Sequence, residues 1–165
     1  MSFVLLCWII KLFLSEQVCN KNFWGDAVKL MVMDGQGGGI GGKIIKGLRE
    51  SVGNDLMIVA LGTNSIATSR MMKAGANKGG TGENAIVQTS HNVDVIVGPL
   101  AILMANSMMG EVTPAMASAV SSSEATKILI PLTQEKVRLV GVSGEPLPHL
   151  VSQVVDIIKE MNEDV

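Results

Sequence analysis

No tyrosine occurs in this chain of 165 residues. A phenol is therefore unavailable as a catalytic proton donor. The five aromatics, Phe3, Trp8, Phe13, Phe23 and Trp24, all stand in the first 24 positions, together with both cysteines, Cys7 and Cys19. Two cysteines in a chain of this length make no disulfide framework. Charge is sparse too, at 17% of residues, with a formal net charge of −2 and no basic stripe. That argues against nucleic acid as a partner. His91 and His149 are the only histidines; each lies beside turn signals and reads as a surface residue. No zinc motif, Walker A motif or Ser/His/Asp arrangement is visible.

What is present is apolar residues, 47% of the chain, and 18 glycines. Composition divides the chain near residue 27. Residues 1–27 hold a short apolar run, 3–14, broken by Lys11. It is shorter than the ~20 residues a spanning helix needs. It also lacks the basic start and small-residue cleavage site of a signal peptide. The expectation is a mis-assigned start, with translation beginning near Val28. An apolar anchor lying in a membrane interface is the alternative. A membrane partner is expected only if residues 1–27 are real.

Residues 28–165 read as one domain. Short apolar runs at 29–33, 55–61, 93–99 and 127–132 have strand length. Between them lie segments of helical period: 40–52, with Ile40, Ile44, Ile45, Leu48 and Val52 on one face, then 65–74 and 114–121. Residues 100–109 are apolar nearly all round and predict a buried helix. Residues 136–142 alternate partly and suggest a further strand. Pro148 opens a last amphipathic helix with Leu150, Val151, Val154, Val155, Ile158 and Met161 inward. Strands alternating with helices give an α/β class, a Rossmann-like three-layer α/β/α domain with a mostly parallel sheet of about five to six strands.

The stretch "DGQGGGIGG", 34–42, joins the first strand to the first helix. Glycine there supplies unusual backbone angles and admits a close approach. The helix start directs free N–H groups and its positive dipole end at the turn. An anion such as a pyrophosphate fits that place. Gly35, Gln36, Gly37, Gly38, Gly39, Ile40 and Gly41 are the candidate cofactor-binding residues, with Thr63 and Asn64 after the second strand.

"GQGGGIG" resembles the glycine motif of short-chain dehydrogenases over some 25 residues. The resemblance implies NAD or NADP as cofactor. It does not extend to activity, because the Tyr-x-x-x-Lys pair of that superfamily is missing. The acidic residue expected about 20 positions on, to hold a ribose hydroxyl, is also absent; Asp55 stands before the second strand. Neutral Thr63, Asn64 and Ser65 follow it and could accept a ribose, or a 2′-phosphate with help from Arg70.

Asp34 opposes a bare phosphate. It either braces the glycine turn by accepting N–H bonds, shares a Mg²⁺ with a phosphate, or acts as base or nucleophile. Glu83, in "TGEN", is the other acid/base candidate, against a plain helix-first-turn carboxylate. Asn106, Ser107 and Glu111 lie in or after the apolar segment without an assigned role. Met104, Met108, Met109 and Met116 serve a core or a soft dimer face.

The body also resembles an uncharacterised bacterial domain-of-unknown-function family whose members begin near Val28. The shared motifs are "DGQGGGIG", "ALGTN", "GAN", "TGENAI", "VDVI-GP", "ANSM-GE-TP" and "KILIPL". This implies a Rossmann-like fold and no particular activity. The expected function is binding of a nucleotide or dinucleotide, NAD or NADP first, in a cytoplasmic homo-oligomer. An enzyme acting on a small phosphorylated metabolite is one alternative. A ligand-free interaction or structural subunit is another. No metal site is expected.

Overall fold

The first strand, β1 (Lys29–Asp34), is buried along nearly its whole length. Its side chains alternate between two cores. Leu30 and Val32 join one, Met31 and Met33 the other. A strand buried on both faces belongs inside a parallel sheet, and it reads as a continuous apolar run for that reason. This computed structural model describes residues 28–132, 136–142 and 144–163. The expectations for residues 1–27 lie outside the described residues.

The chain continues as α1 (Gly39–Val52), β2 (Met57–Gly62), α2 (Ser65–Lys73), β3 (Lys78–Thr81), α3 (Glu83–Ser90), β4 (Val95–Pro99), α4 (Pro114–Ser122), β5 (Thr126–Ile130) and α5 (Leu147–Glu163). The five strands form one sheet in the order β3-β2-β1-β4-β5, every pairing parallel. This is the expected Rossmann-like α/β arrangement. Apolar residues of α1, α2 and α5 cover one face of the sheet. Those of α3, α4 and the segment after β4 cover the other. Strand order reverses between β1 and β4, so the carboxyl ends of these two strands border a switch-point crevice. No helix among the described residues is long and apolar enough to cross a membrane.

Two expectations are corrected, and one strand is added. First, residues 100–109 are not an α-helix. Two 3-10 turns, Leu100–Leu103 and Met108–Gly110, are separated by extended and left-handed backbone. Asn106, Met108 and Met109 all have positive φ. The Ser107 hydroxyl donates to Ala101 O at 2.6 Å, a local bond that competes with a helical ladder. Met109 ends up 93% exposed, while Met108 and Met116 are buried. Second, residues 136–142 form no strand and are exposed. Pro131, which has no N–H to continue the ladder, follows β5 directly. The added strand is β3, in the glycine-rich stretch 76–84, an edge strand of Lys, Gly, Gly and Thr with no apolar pattern to reveal it.

Candidate functional site

The turn from β1 to α1 is built around Asp34. Its carboxylate is 4% exposed. Oδ1 accepts from the Gly35 N–H at 2.8 Å and Oδ2 from the Gly41 N–H at 2.7 Å. One side chain thus ties both ends of the glycine turn to the strand. Burial pushes the carboxyl above the usual aspartate range, although the Gly41 and Gly35 bonds pull it down. With an N–H on each oxygen, the geometry is that of a brace. Among the described residues, no group of three or more His, Cys, Asp or Glu is placed to hold a metal ion.

The glycines of the turn do different work. A Cβ on Gly35 would sit 2.5 Å from Met108 Sδ and 2.7 Å from Thr63 Oγ1. Gly38 has φ +62°, and a Cβ there would lie 2.7 Å from the Ala67 Cα, in α2. A Cβ on Gly41 would meet Met71 Sδ at 2.5 Å and the Asp34 Cβ at 2.9 Å. These three are required by packing. Gly37 and Gly39 are not. A Cβ on either would approach only the Arg70 side chain, at 3.3 and 3.7 Å from Nη1 respectively. Gly37 is half-buried and Gly39 exposed.

The backbone donors follow the same division. Gly38 N donates to Gly35 O at 2.9 Å and closes the turn. The Gly37 and Gly39 N–H groups have no acceptor among the described residues. The Arg70 guanidinium, exposed on α2, makes no hydrogen bond or salt bridge with a described residue, although its charge acts on the buried Asp34 carboxyl and lowers its pKa. Two unpartnered N–H groups at the positive end of a 14-residue helix therefore lie beside an unpaired guanidinium.

Thr63 and Asn64 come to the same edge, and the scaffold uses both. Thr63 N donates to Asp34 O at 3.1 Å, extending the pairing of β1 with β2. Asn64 caps α2 by accepting from Ala67 N at 2.9 Å and donates Nδ2 to Gln36 O at 2.8 Å. The Gln36 N–H and both side chains also converge on Glu111. Its Oε2 accepts from Gln36 N at 2.7 Å, Thr63 Oγ1 at 2.5 Å and Asn64 Nδ2 at 2.9 Å. Burial alone would raise the Glu111 carboxyl. The bonds from Thr63, Gln36 and Asn64 outweigh it and hold the group below the usual glutamate range.

Sequence reasoning named Glu111 without giving it a role. One signal was available: it is the only ionisable side chain between Asp94 and Glu124. Glu83 is exposed in the first turn of α3 and accepts a hydrogen bond from Thr113, the N-cap of α4. It lies away from the glycine turn in these contacts and ties two helices together. His91 and His149 are both exposed, and His149 Nδ1 is 2.8 Å from Glu145 Oε2. Two cavities, of about 510 and 230 Å³, lie elsewhere. The larger, at His91, Asp94 and Ser123, opens at the amino ends of β4 and β5; the smaller lies beside Pro131 and Leu150. Ligands of parallel sheets collect at the carboxyl ends beside the switch point, which the larger cavity does not meet; the smaller follows the carboxyl end of β5, an edge strand away from the β1–β4 switch point.

The model of a domain of unknown function, DUF3842, matches residues 29–163. The chain belongs to this family. No curated protein matches the sequence. Among solved structures, a universal stress protein in complex with cAMP is similar at 18% identity, over 64% of this chain and 98% of that one, with a TM-score of 0.38. The DUF3842 match begins at the start of β1 and ends in α5, so it spans the whole sheet and the glycine turn.

Proposed function

We propose that this DUF3842 protein binds a nucleotide or dinucleotide, NAD or NADP first among them, by its diphosphate at the β1–α1 turn. The observation that carries the reading is the pair of unpartnered N–H groups on Gly37 and Gly39 beside the Arg70 guanidinium. Backbone donors at a helix start suit a diphosphate, and Arg adds charge in a planar fork matched to its oxygens. Glycine at 37 and 39 leaves the volume above the donors open. Gln36, Gly38, Ile40 and Gly41 shape the turn, and Asp34 fixes its angle. The segment after β4 covers the β1 end with Met108.

Among the described residues, only the Arg70 side chain lies within 4 Å of a Cβ built on Gly37 or Gly39, so binding is the function proposed. Two steps test it. The purified protein is denatured and anything released is identified by mass spectrometry. Thermal shifts are then recorded with NAD, NADP, ATP, coenzyme A and sugar phosphates, with and without Mg²⁺. A nucleotide at 100 times its Kd should add about 2.7 kcal/mol of stability. No released ligand and no shift across the panel would sink the proposal.

A further inference from the structure

Nucleotide sites on open parallel sheets usually hold the ribose on a carboxylate at the carboxyl end of the second strand. In this chain the residues after β2 are Thr63, Asn64 and Ser65, and none is acidic. Asp55 stands at the other end of the strand and is exposed. Yet a carboxylate does reach that end, from a segment 47 residues away from Asn64. Glu111 arrives there over the sheet edge, on the strap that follows β4.

Its posture is unusual for a residue that only packs. Three donors from two elements fix a single oxygen, Oε2. Oε1 has no partner among the described residues, and the side chain is half-buried. A carboxylate accepts at about four lone-pair positions, so acceptor capacity remains on a group whose orientation is already set. The strap adopts costly backbone to deliver it. Asn106, Met108, Met109 and Gly110 take φ of 66°, 54°, 61° and 88°. Left-handed non-glycine residues gather where the surrounding structure forces a geometry. Asn106 N bonds Val112 O at 2.7 Å, closing the base of the loop, and Met108 seats against Gly35.

We propose that Glu111 is the specificity residue of the site, accepting the 2′- and 3′-hydroxyls of an unphosphorylated ribose and rejecting a 2′-phosphate. This rests on the diphosphate reading above. The hydroxyls donate and the ionised carboxylate accepts. A 2′-phosphate offers no proton in exchange and brings a second negative charge against the first. The donors around Glu111 are neutral and already engaged, and Arg70 lies at the turn with Gly37 and Gly39. The ligand class is therefore an ADP-ribosyl compound of the NAD kind, with the NADP kind excluded.

The test is calorimetric titration of the full chain with ADP-ribose, with its 2′-phosphorylated form, and with inorganic pyrophosphate, which has no ribose. Wild type should prefer ADP-ribose to the 2′-phosphate by about a hundredfold. Glu111→Gln should weaken ADP-ribose by about tenfold to a hundredfold, narrow the preference, and bind pyrophosphate at least as tightly as wild type. Equal wild-type affinity for the two ribosyl compounds overturns the inference, and that comparison needs no variant. Pyrophosphate weakened by Glu111→Gln as much as ADP-ribose also overturns it, by showing that Glu111 holds the turn and does not read the ribose. If wild type binds none of the three, the diphosphate reading itself fails. If pyrophosphate binds and ribose makes no difference, only the role of Glu111 fails.

Discussion

The chain has two glycine-rich stretches, and they are put to opposite uses. At 34–42 the glycines turn β1 into a 14-residue helix, and two of them leave N–H groups open beside Arg70. At 76–84 the glycines lie in and after an edge strand. A Cβ on Gly79 would press on Met72 Sδ at 2.8 Å, and one on Gly80 would touch Ala85 at 3.1 Å. Gly82, with φ +88° and ψ 177°, makes the turn into an eight-residue helix whose first carboxylate, Glu83, is engaged by Thr113. Glycine content therefore does not mark a site. A buried carboxylate bracing the turn, donors left without acceptors, and an unpaired cation beside them do, and only the first stretch has all three.

The largest effect that would sharpen this contrast is Gly38→Ala. The residue is left-handed, and a Cβ would lie 2.7 and 2.8 Å from the Ala67 backbone of α2. Strain and overlap together should destabilise by about 3 kcal/mol or more, read by urea denaturation. Gly82→Ala meets no atom within 4 Å, so only its backbone angle opposes the change, at about 2 kcal/mol. Equal losses at the two positions would break the distinction between a packed turn and an open one.

Asp34→Asn comes next. An amide offers one acceptor oxygen where the carboxylate offers two, so either the Gly35 or the Gly41 N–H loses its partner. The expected loss is about 1–3 kcal/mol, with faster amide exchange at the turn.

The pH dependence is smaller, and its two components have opposite signs. Glu111 is depressed in the folded state. Its contribution is present above the unfolded value of 4.5 and is lost as pH falls through the folded value below it. Asp34 is raised. Its contribution is complete below 3.8 and is lost as pH rises through the folded value above that. Chemical denaturation across acid pH should show the first component vanish in Glu111→Gln and the second in Asp34→Asn.

Much of this fold can be read in the sequence, because β1, β2 and β4 are largely buried runs, β5 is an apolar run of strand length with Ile128 and Ile130 buried, and α1 and α5 carry a regular apolar face. The glycine turn is legible for the same reason, as it sits between two strong periodic signals. β3 is not, since Lys, Gly, Gly and Thr owe their strand conformation to pairing with β2 and not to their own pattern. The strap at 100–113 misleads outright. Leu, Ala and Met suit a helix, but the left-handed residues from Asn106 to Gly110 turn the chain back over the edge. Glu111 then meets Gln36, 75 positions earlier. No local rule connects those two, so the carboxylate missing after β2 could not be located from the sequence.

The central claim is that the N–H groups of Gly37 and Gly39 hold a diphosphate while the second stretch holds nothing. Pyrophosphate titrated into wild type, Gly39→Ala and Gly79→Ala tests it most directly. A Cβ at Gly39 meets only Arg70 Nη1, at an ordinary 3.7 Å, whereas one at Gly79 meets Met72 Sδ at 2.8 Å, Met72 Cγ at 2.9 Å and Thr68 Cγ2 at 3.1 Å, so Met72 must shift. Gly39→Ala should keep its melting temperature and Gly79→Ala should lower it, so binding is compared well below both. The account predicts that Gly39→Ala loses pyrophosphate binding and Gly79→Ala keeps it. Binding retained in Gly39→Ala, or absent from wild type, would contradict it.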